Sequence, residues 1–231
     1  QTDPSQDWAG NFAKSMGKEN TGYDELSRLY FIIHSDHESG NVSAHATHLV
    51  GSALSDVYLA TSAGMNGLSG PLHGRANQES LAWLSRIYDQ FGGVPSKQQL
   101  TDFAWETLNS GKVIPGYGHA VLRSTDPRFT VLFDYGKANF ENDDMFPGVL
   151  KEHGKAKNTS PNVDAISGTT QYHYGVKDCD EKGICGFYTV LFGVSRILGV
   201  SANLVWDRAL LQPIERPKSL TTDFISDMLK Q

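Results

Sequence analysis

Apolar residues recur every three or four positions along most of the chain, which is the spacing of one face of an α-helix. The longest such stripe spans about four turns and comprises Val42, Ala46, Leu49, Val50, Ala53, Leu54 and Val57. Shorter stripes lie within residues 26–33, 81–91, 100–108 and 224–229, and a further apolar segment covers 187–211. Alternating runs of the β-strand kind are nearly absent, and no Asn-Gly hairpin turn joins two of them. The pattern therefore predicts an all-α fold.

Residues that favour helix starts precede several of these stripes. Ser96 is followed three positions later by Gln99, which is the spacing of a capping box. Thr21 stands in the same relation to Asp24, and Thr222 is placed to cap a last short helix. These signals predict helices that begin directly after Ser96, Thr21 and Thr222.

Composition narrows the class of protein. The chain has 231 residues, 20 basic against 26 acidic side chains, and a formal net charge of −6. This balance argues against a general nucleic-acid binder, which needs a basic surface. No run approaches 18 apolar residues, so the sequence predicts no membrane span. With only Cys179 and Cys185 present, a reducing compartment and two free thiols are expected rather than a disulfide scaffold.

The segments between helices are rich in glycine and ionisable residues, where chemistry usually lies. They cover residues 34–41, 65–77, 113–128 and 154–168. In the first segment and the helix after it, four histidines, His34, His37, His45 and His48, have a spacing that could bind zinc. No cysteine or acidic cluster completes that set, so hydrogen-bonded core imidazoles are the alternative.

Two of these segments carry candidate polar chemistry on constrained backbone. His73 lies between Pro71-Leu72 and Gly74, at the expected entrance of a helix that would keep its imidazole neutral and able to stabilise an oxyanion. Arg123 and Arg128 follow a glycine loop and suit carboxylate or phosphate recognition, with solvated arginines as the alternative.

Two further residues are informative because their neighbours are apolar. Asp164 stands between Val163 and Ala165, where desolvation would raise the pKa of its carboxyl and fit a general base, although a turn or cap residue is the alternative. Arg196 lies on an otherwise apolar helix, and a buried arginine needs an anion.

Six ordered segments together resemble the citrate synthase family of the eukaryotic mitochondrial type, over nearly the whole chain from Asp7 onwards. They read HSDHESGNVSAH, MNGLSGPLHGRANQE, GKVIPGYGHAVLRSTDPR, GKAKNTSPNVDAISG, TVLFGVSR and IERPKS. The resemblance implies a two-domain helical fold, with residues 75–177 as the small domain and 1–74 and 178–231 as parts of an incompletely represented large domain. It weighs against zinc, implies no metal and no cofactor, and places the protein in the mitochondrial matrix.

The resemblance also implies roles for individual residues. Asp164 would remove a proton from acetyl-CoA, His73 would stabilise the enolate, and His119 would polarise and protonate the oxaloacetate ketone. The oxaloacetate or citrate binders would be His37, Asn41, Arg128, Phe192, Arg196 and Arg216, the last acting on the neighbouring site of a homodimer. The coenzyme A binders would be Val113, Gly116, Gly118, Arg123, Lys155, Lys157 and Asn162. No nucleic acid or membrane partner is implied.

The sequence also departs from the family pattern. It matches only the C-terminal portion of such a subunit, is about ten residues shorter before the segment that begins KEHGKAKN, and about six longer around the two cysteines. Because Gln1 is not a natural start, we expect the chain to be part of a longer polypeptide. Two alternatives stay open: a 2-methylcitrate synthase that uses propionyl-CoA, and a non-catalytic structural or filament homologue.

Overall fold

The computed structural model describes residues 2–36, 40–118, 122–140, 160–179, 185–217 and 219–230. These residues form helices and no named strand, with isolated bridges only at Tyr117–Pro161 and Cys179–Cys185. The helices are α1 (Trp8–Ser15), α2 (Tyr23–His34), α3 (Val42–Ser52), α4 (Val57–Leu68), α5 (Ala76–Phe91), α6 (Lys97–Asn109), α7 (Pro127–Asn139), α8 (Asp164–His173), α9 (Phe187–Ala209) and α10 (Thr222–Met228). The predicted all-α fold is confirmed.

The helix starts agree closely with the capping signals, with two corrections. Ser96 and Gln99 form the predicted capping box before α6. The cap of α10 is Thr221 rather than Thr222, because the Thr221 hydroxyl accepts from the Phe224 amide. The prediction for Thr21 is also wrong, since the N-cap of α2 is Gly22, which adopts a left-handed conformation without a side-chain cap.

The four-turn stripe over residues 42–57 is two helices rather than one. The chain leaves α3 after Ser52 and passes through Leu54, whose φ of 63° is incompatible with a continuing helix. Asp56 then caps α4 by accepting from the amides of Tyr58 and Leu59. Both helices present apolar faces at similar spacing, so periodicity alone does not reveal the break.

Three clusters of buried residues hold the helices together. The largest draws mainly on α2, α7, α8 and the start of α9 and includes Tyr23, Leu26, Leu132, Ile166 and Tyr188. A second lies mainly between α5 and α6 and includes Trp83, Leu84, Ile87, Leu100 and Ala104. A third packs α1 and α2 against α9 and comprises Ala9, Tyr30, Phe31 and Leu191. Helix α5 contributes to the first two clusters, and Phe12 and Phe187 pack against both the first and the third.

The longest helix, α9, runs through the middle of this arrangement. By length and composition alone it could cross a membrane, contrary to the sequence-based count of apolar residues. It packs, however, against α2, α3, α4 and α5, and it buries eight of its residues, among them Arg196. These contacts are those of a core helix.

Helices α3 and α4 approach each other closely at Gly64. A Cβ added there would lie 2.1 Å from Thr47 Oγ1 and 2.8 Å from the Ser43 carbonyl oxygen. The backbone carbonyl cannot yield without moving the helix. By contrast, a Cβ at Gly67 on the same helix would come closest to a methyl group of the exposed Val42, at 2.8 Å. The backbone contact makes Gly64 a packing requirement.

We predict that Gly64→Ala destabilises the protein by about 1–3 kcal/mol, because overpacking outweighs the gain in helix propensity. Gly67→Ala, its matched control, gains the same propensity and should leave the melting temperature unchanged or higher. Thermal unfolding followed by circular dichroism measures both. An equal response of the two variants would contradict the packing argument.

Candidate active site

A cleft of about 1070 Å³ lies between the segments that the sequence singled out. The lining residues come from the loops before α3 and α5, from the glycine loop 112–118, and from the starts of α7 and α8 and the middle of α9. Of the predicted site residues, the cleft brings together Asn41, His73, Val113, Gly116, Gly118, Arg128, Asn162, Asp164, Phe192 and Arg196. Residues more than 150 positions apart therefore meet in one space.

Two other predicted site residues that the structure describes do not line this cleft. Arg123 and Arg216 are exposed and stay predictions. Four more predictions, His37, His119, Lys155 and Lys157, lie outside the described residues.

Asp164 is the first residue of α8 and points its carboxyl into the buried end of the cleft. Its Oδ1 atom is buried and has no hydrogen-bond partner among the described residues. Burial raises the pKa of this carboxyl to about 7, against the opposing charges of Arg128 and Arg196. A carboxyl with that pKa can accept and release a proton near neutral pH, as a general base must.

Arg196 is fully buried on α9. Its Nε donates to the His34 carbonyl oxygen at 2.8 Å and one terminal nitrogen donates to Asn41 Oδ1 at 3.2 Å. The other terminal nitrogen has no hydrogen-bond partner in the part of the chain that the structure describes. The guanidinium also lies 4.9 Å from the centre of the Phe192 ring. Burial lowers its pKa only to about 10, so the group stays charged. A buried positive charge with an unused donor is suited to bind an anion.

Arg128 is held at the cleft by a carboxylate. Asp126 accepts from Arg128 Nε at 3.1 Å and from its NH2 at 2.8 Å, and the same carboxylate caps α7. Asp126 also accepts from the amide of Val163, directly before Asp164. Although burial would raise the pKa of Asp126, the hydrogen bonds and charge of Arg128 lower it overall. This ion pair fixes both Arg128 and the start of α8.

His73 lies in the predicted turn before α5. Its Nε2 is 2.9 Å from Ser43 Oγ and 3.4 Å from the amide nitrogen of Ser43, which can only donate. The Ser43 hydroxyl also donates to Asn41 Oδ1 at 2.7 Å. These contacts hold the imidazole at the cleft, and its role as a hydrogen-bond donor to an oxyanion stays a prediction.

The sequence predicts that His34 is either a metal ligand or a hydrogen-bonded core residue. The structure buries it completely, stacked on Tyr30, with its Nδ1 2.9 Å from the Tyr30 carbonyl oxygen. Burial, followed by the charges of Arg128 and Arg196, lowers its pKa to about 3, so it stays neutral. His48 pairs with Asp207, away from His34. For His34 the core alternative is the one the structure supports.

The glycine loop is fastened to the segment that leads into α8. Gly118 donates to the Ser160 carbonyl oxygen at 3.0 Å, and Asn162 donates from its backbone to Gly116 O and from its side chain to Gly118 O. Gly116 has a φ of 82°, and a Cβ there would lie 2.5 Å from the Cα of Ala165. The glycine thus permits contact with α8 as well as approach of a ligand.

Sequence reasoning missed several residues of the part of the cleft that is lined by α5, α6 and the glycine loop, called the outer cleft below. Arg86 on α5 and Lys112 at the start of the glycine loop add positive charge there, and Trp83 and Thr107 line the same space. Arg86 lies within the apolar stripe over residues 81–91, for which the sequence predicts only a packing face. Its position opposite the glycine loop depends on how α5 packs, which local spacing does not reveal.

Comparison with known proteins agrees with this geometry. The family model described as "Citrate synthase, C-terminal domain" matches residues 1–218. The chain is 54% identical, over 99% of its length, to a protein named "Probable citrate synthase, mitochondrial" from Glossina morsitans morsitans, and covers 50% of that protein. It is also 54% identical, over 96% of its length, to "Citrate synthase, mitochondrial" from Xiphias gladius, of which it covers 48%.

The fold also matches solved structures. One is the citrate synthase of Thermoplasma acidophilum in a ternary complex with carboxymethyl coenzyme A and oxaloacetate, with a TM-score of 0.78 and 23% identity. The alignment covers 96% of this chain and 58% of that one. The chain spans about half the length of the curated relatives that it matches. By the match of the family model over most of its length, the chain belongs to the citrate synthase family.

Proposed function

We propose that the protein is a citrate synthase, which condenses acetyl-CoA with oxaloacetate and water to give citrate and coenzyme A. The observation that carries this proposal is a buried carboxyl, Asp164, with a pKa near 7 in the same cleft as His73, Arg128 and Arg196. The names of the curated relatives and the ligands named for the Thermoplasma acidophilum enzyme support the same substrates.

The first chemical step is removal of a methyl proton from acetyl-CoA by Asp164. A thioester α-proton is too weak an acid for a carboxylate alone, so the developing oxyanion must be stabilised at the same time. We assign this role to His73, because it lines the same cleft as Asp164 and Ser43 holds its ring through Nε2. A neutral imidazole donor suits an enolate, since it stabilises the oxyanion without first needing a proton from solvent.

The second substrate binds at the arginines. Two guanidinium groups, Arg128 and Arg196, can each bind a carboxylate of oxaloacetate, and Asn41 adds an amide beside Arg196. His119 would polarise the ketone and protonate it as the carbon–carbon bond forms; water then hydrolyses the thioester. We propose His37 as a further contact to this substrate, with Phe192 as the apolar wall.

The outer cleft is suited to coenzyme A. The loop from Val113 to Gly118 offers backbone groups for the adenine, and Asn162 holds that loop in place. Arg86 and Lys112 line the same space and add to the predicted phosphate contacts of Arg123, Lys155 and Lys157. We propose that this cleft lies between a small domain, residues 75–177, and the flanking large-domain segments.

A homodimer is proposed as the working form. Apolar side chains are exposed on several helices away from the cleft, among them Tyr58 and Leu59 on α4, Trp206 on α9, and Phe224 and Ile225 on α10. We infer that a second copy of the chain covers some of these side chains. The partner would supply Arg216 to the cleft, and the mitochondrial matrix is the proposed location.

We predict that Asp164→Asn lowers kcat by about 100- to 10,000-fold, the usual contribution of a general base. The dissociation constant of oxaloacetate, measured by calorimetry, should change little because Arg128 and Arg196 are unaltered. The matched control is Asp89→Asn, which alters an exposed carboxyl on α5. Coenzyme A release is followed with a thiol reagent in the complete natural polypeptide. Retained turnover would show that Asp164 is not the base, and no release from the unaltered protein would favour a non-catalytic homologue.

We predict that kcat/KM falls as the pH decreases below about 7, approaching tenfold per pH unit. The base acts in its ionised form, and the pKa of Asp164 is raised from 3.8 to about 7. The same shift predicts that the free energy of unfolding falls as the pH rises from about 4 to 7. In this range Asp164 is already ionised in the unfolded chain but still largely protonated in the folded protein. Asp164→Asn should remove that decline, so its advantage in melting temperature is larger at pH 8 than at pH 4.5. A flat rate profile between pH 5 and 8 would contradict the assignment.

We predict that acetyl-CoA is used with a higher kcat/KM than propionyl-CoA. Both curated relatives are named citrate synthase, so the 2-methylcitrate alternative has no observation in its favour. One added methylene is worth about 1–3 kcal/mol of discrimination, or roughly 10–200-fold in rate. Initial rates with the two thioesters at saturating oxaloacetate measure this ratio. A preference for propionyl-CoA would overturn the choice of substrate.

A further inference from the structure

Cys179 and Cys185 are joined by a disulfide directly before α9, contrary to the expectation of two free thiols. We propose that this bond is a reversible thiol–disulfide exchange site whose reaction partner is a dithiol reductant. Its state would control how firmly the first turn of α9 is held. The proposal concerns a site outside the cleft and does not rest on the proposed enzymatic function.

The cysteine content favours exchange over a permanent cross-link. These two are the only cysteines of the chain. Secreted scaffolds that depend on disulfides carry several, whereas isolated disulfides in reducing compartments are usually transient and redox-sensing.

A reductant can reach the bond from a groove. Cys179 and Cys185 both line a groove of about 500 Å³, and Cys185 is exposed. Lys18 and Lys177 line the same groove. The Asp178 carboxylate lies within 4.8 Å of both sulfur atoms, so charges of both signs surround the bond. The accessibility of the bond is therefore the feature that permits exchange.

The exchange can be written with its electrons balanced. A thiolate of the dithiol forms a bond to Sγ of Cys185, the Cys179–Cys185 bond breaks, and Cys179 leaves as a thiolate that takes a proton. The second thiol of the reductant then displaces Cys185 and closes the reductant's own disulfide. The protein gains two electrons and two protons, and the dithiol loses them. A monothiol is less effective, because the adjacent Cys179 can displace it again.

The residues that cap α9 flank the bond on both sides. Asp178, next to Cys179, accepts from the amides of Gly186 and Phe187 at its carbonyl oxygen, at 3.3 Å each. Its side chain accepts from the Tyr188 amide at 3.0 Å. These amides are donors that a helix start cannot satisfy internally. The disulfide fixes Asp178 opposite them, so its reduction leaves the cap to its own hydrogen bonds.

Helix α9 connects this cap to the cleft. Tyr188 in the first turn is fully buried and donates its hydroxyl proton to the Val176 carbonyl oxygen at 2.7 Å. Phe192 and Arg196 follow on the same helix. A looser first turn would therefore reach a helix whose later turns carry two residues of the cleft.

The experiment follows the thiol state and the helix in parallel. The complete natural polypeptide is equilibrated in mixtures of reduced and oxidised dithiothreitol, thiols are alkylated, and peptide masses report Cys179 and Cys185. Amide hydrogen exchange reports residues 186–190. We expect reversible reduction in the folded protein, at least about tenfold faster exchange in the reduced form, and a melting temperature lower by about 5 °C, from the chain-entropy contribution of a short closed loop.

Two variants separate the bond from the cap. The double variant Cys179→Ser/Cys185→Ser should show the amide hydrogen exchange of the reduced protein, and dithiothreitol should not change it. Asp178→Ala should speed exchange at the same amides, while its two cysteines still change between thiol and disulfide across the dithiothreitol mixtures. Because the unaltered protein is measured in both states, the test holds even if a variant fails to fold. Thiols that alkylate equally in every mixture, a bond that resists excess dithiothreitol, or unchanged amide exchange would each overturn the proposal.

Discussion

The buried guanidinium of Arg196 is the constraint on which the cleft depends. A charge in the interior must be compensated, and the described residues within salt-bridge distance of Arg196 include no carboxylate. Instead it donates to the His34 carbonyl and to Asn41, which fixes the end of α2 and the start of α3 around it. Its remaining terminal nitrogen finds no partner within the described ranges, and Arg196 lines the cleft. The helix packing thus maintains a positive site that an anionic ligand completes.

Asp126 has a comparable effect on the opposite wall. A single carboxylate caps α7, binds the guanidinium of Arg128 with two hydrogen bonds, and accepts from the amide before Asp164. Because Asp126 is itself 1% exposed, these interactions are shielded from water. The same group that stabilises the helix start therefore sets the position of a binding arginine relative to the proposed base.

Opposing effects set the pKa of Asp164. Burial disfavours its charged form, while Arg128 and Arg196 favour it, and the balance gives a pKa of about 7. His34, which is fully buried, is held neutral because burial and both arginines act on its pKa in the same direction. The arginines thus distinguish the two buried groups: they keep the carboxyl ionisable near neutral pH and the imidazole uncharged.

The sequence by itself determined the helical class, the capping box at Ser96 and the candidate residues Asp164, His73 and Arg196, because periodicity and residue type are local properties. It did not reveal the break at Leu54, since two helices with similar apolar spacing read as one stripe. The positions of Arg86 and Lys112 in the cleft, the burial of His34, and the pairing of Cys179 with Cys185 were decided by tertiary structure. Each depends on which distant segment a side chain meets, and burial and charge at a site are sums over neighbours that only packing brings together.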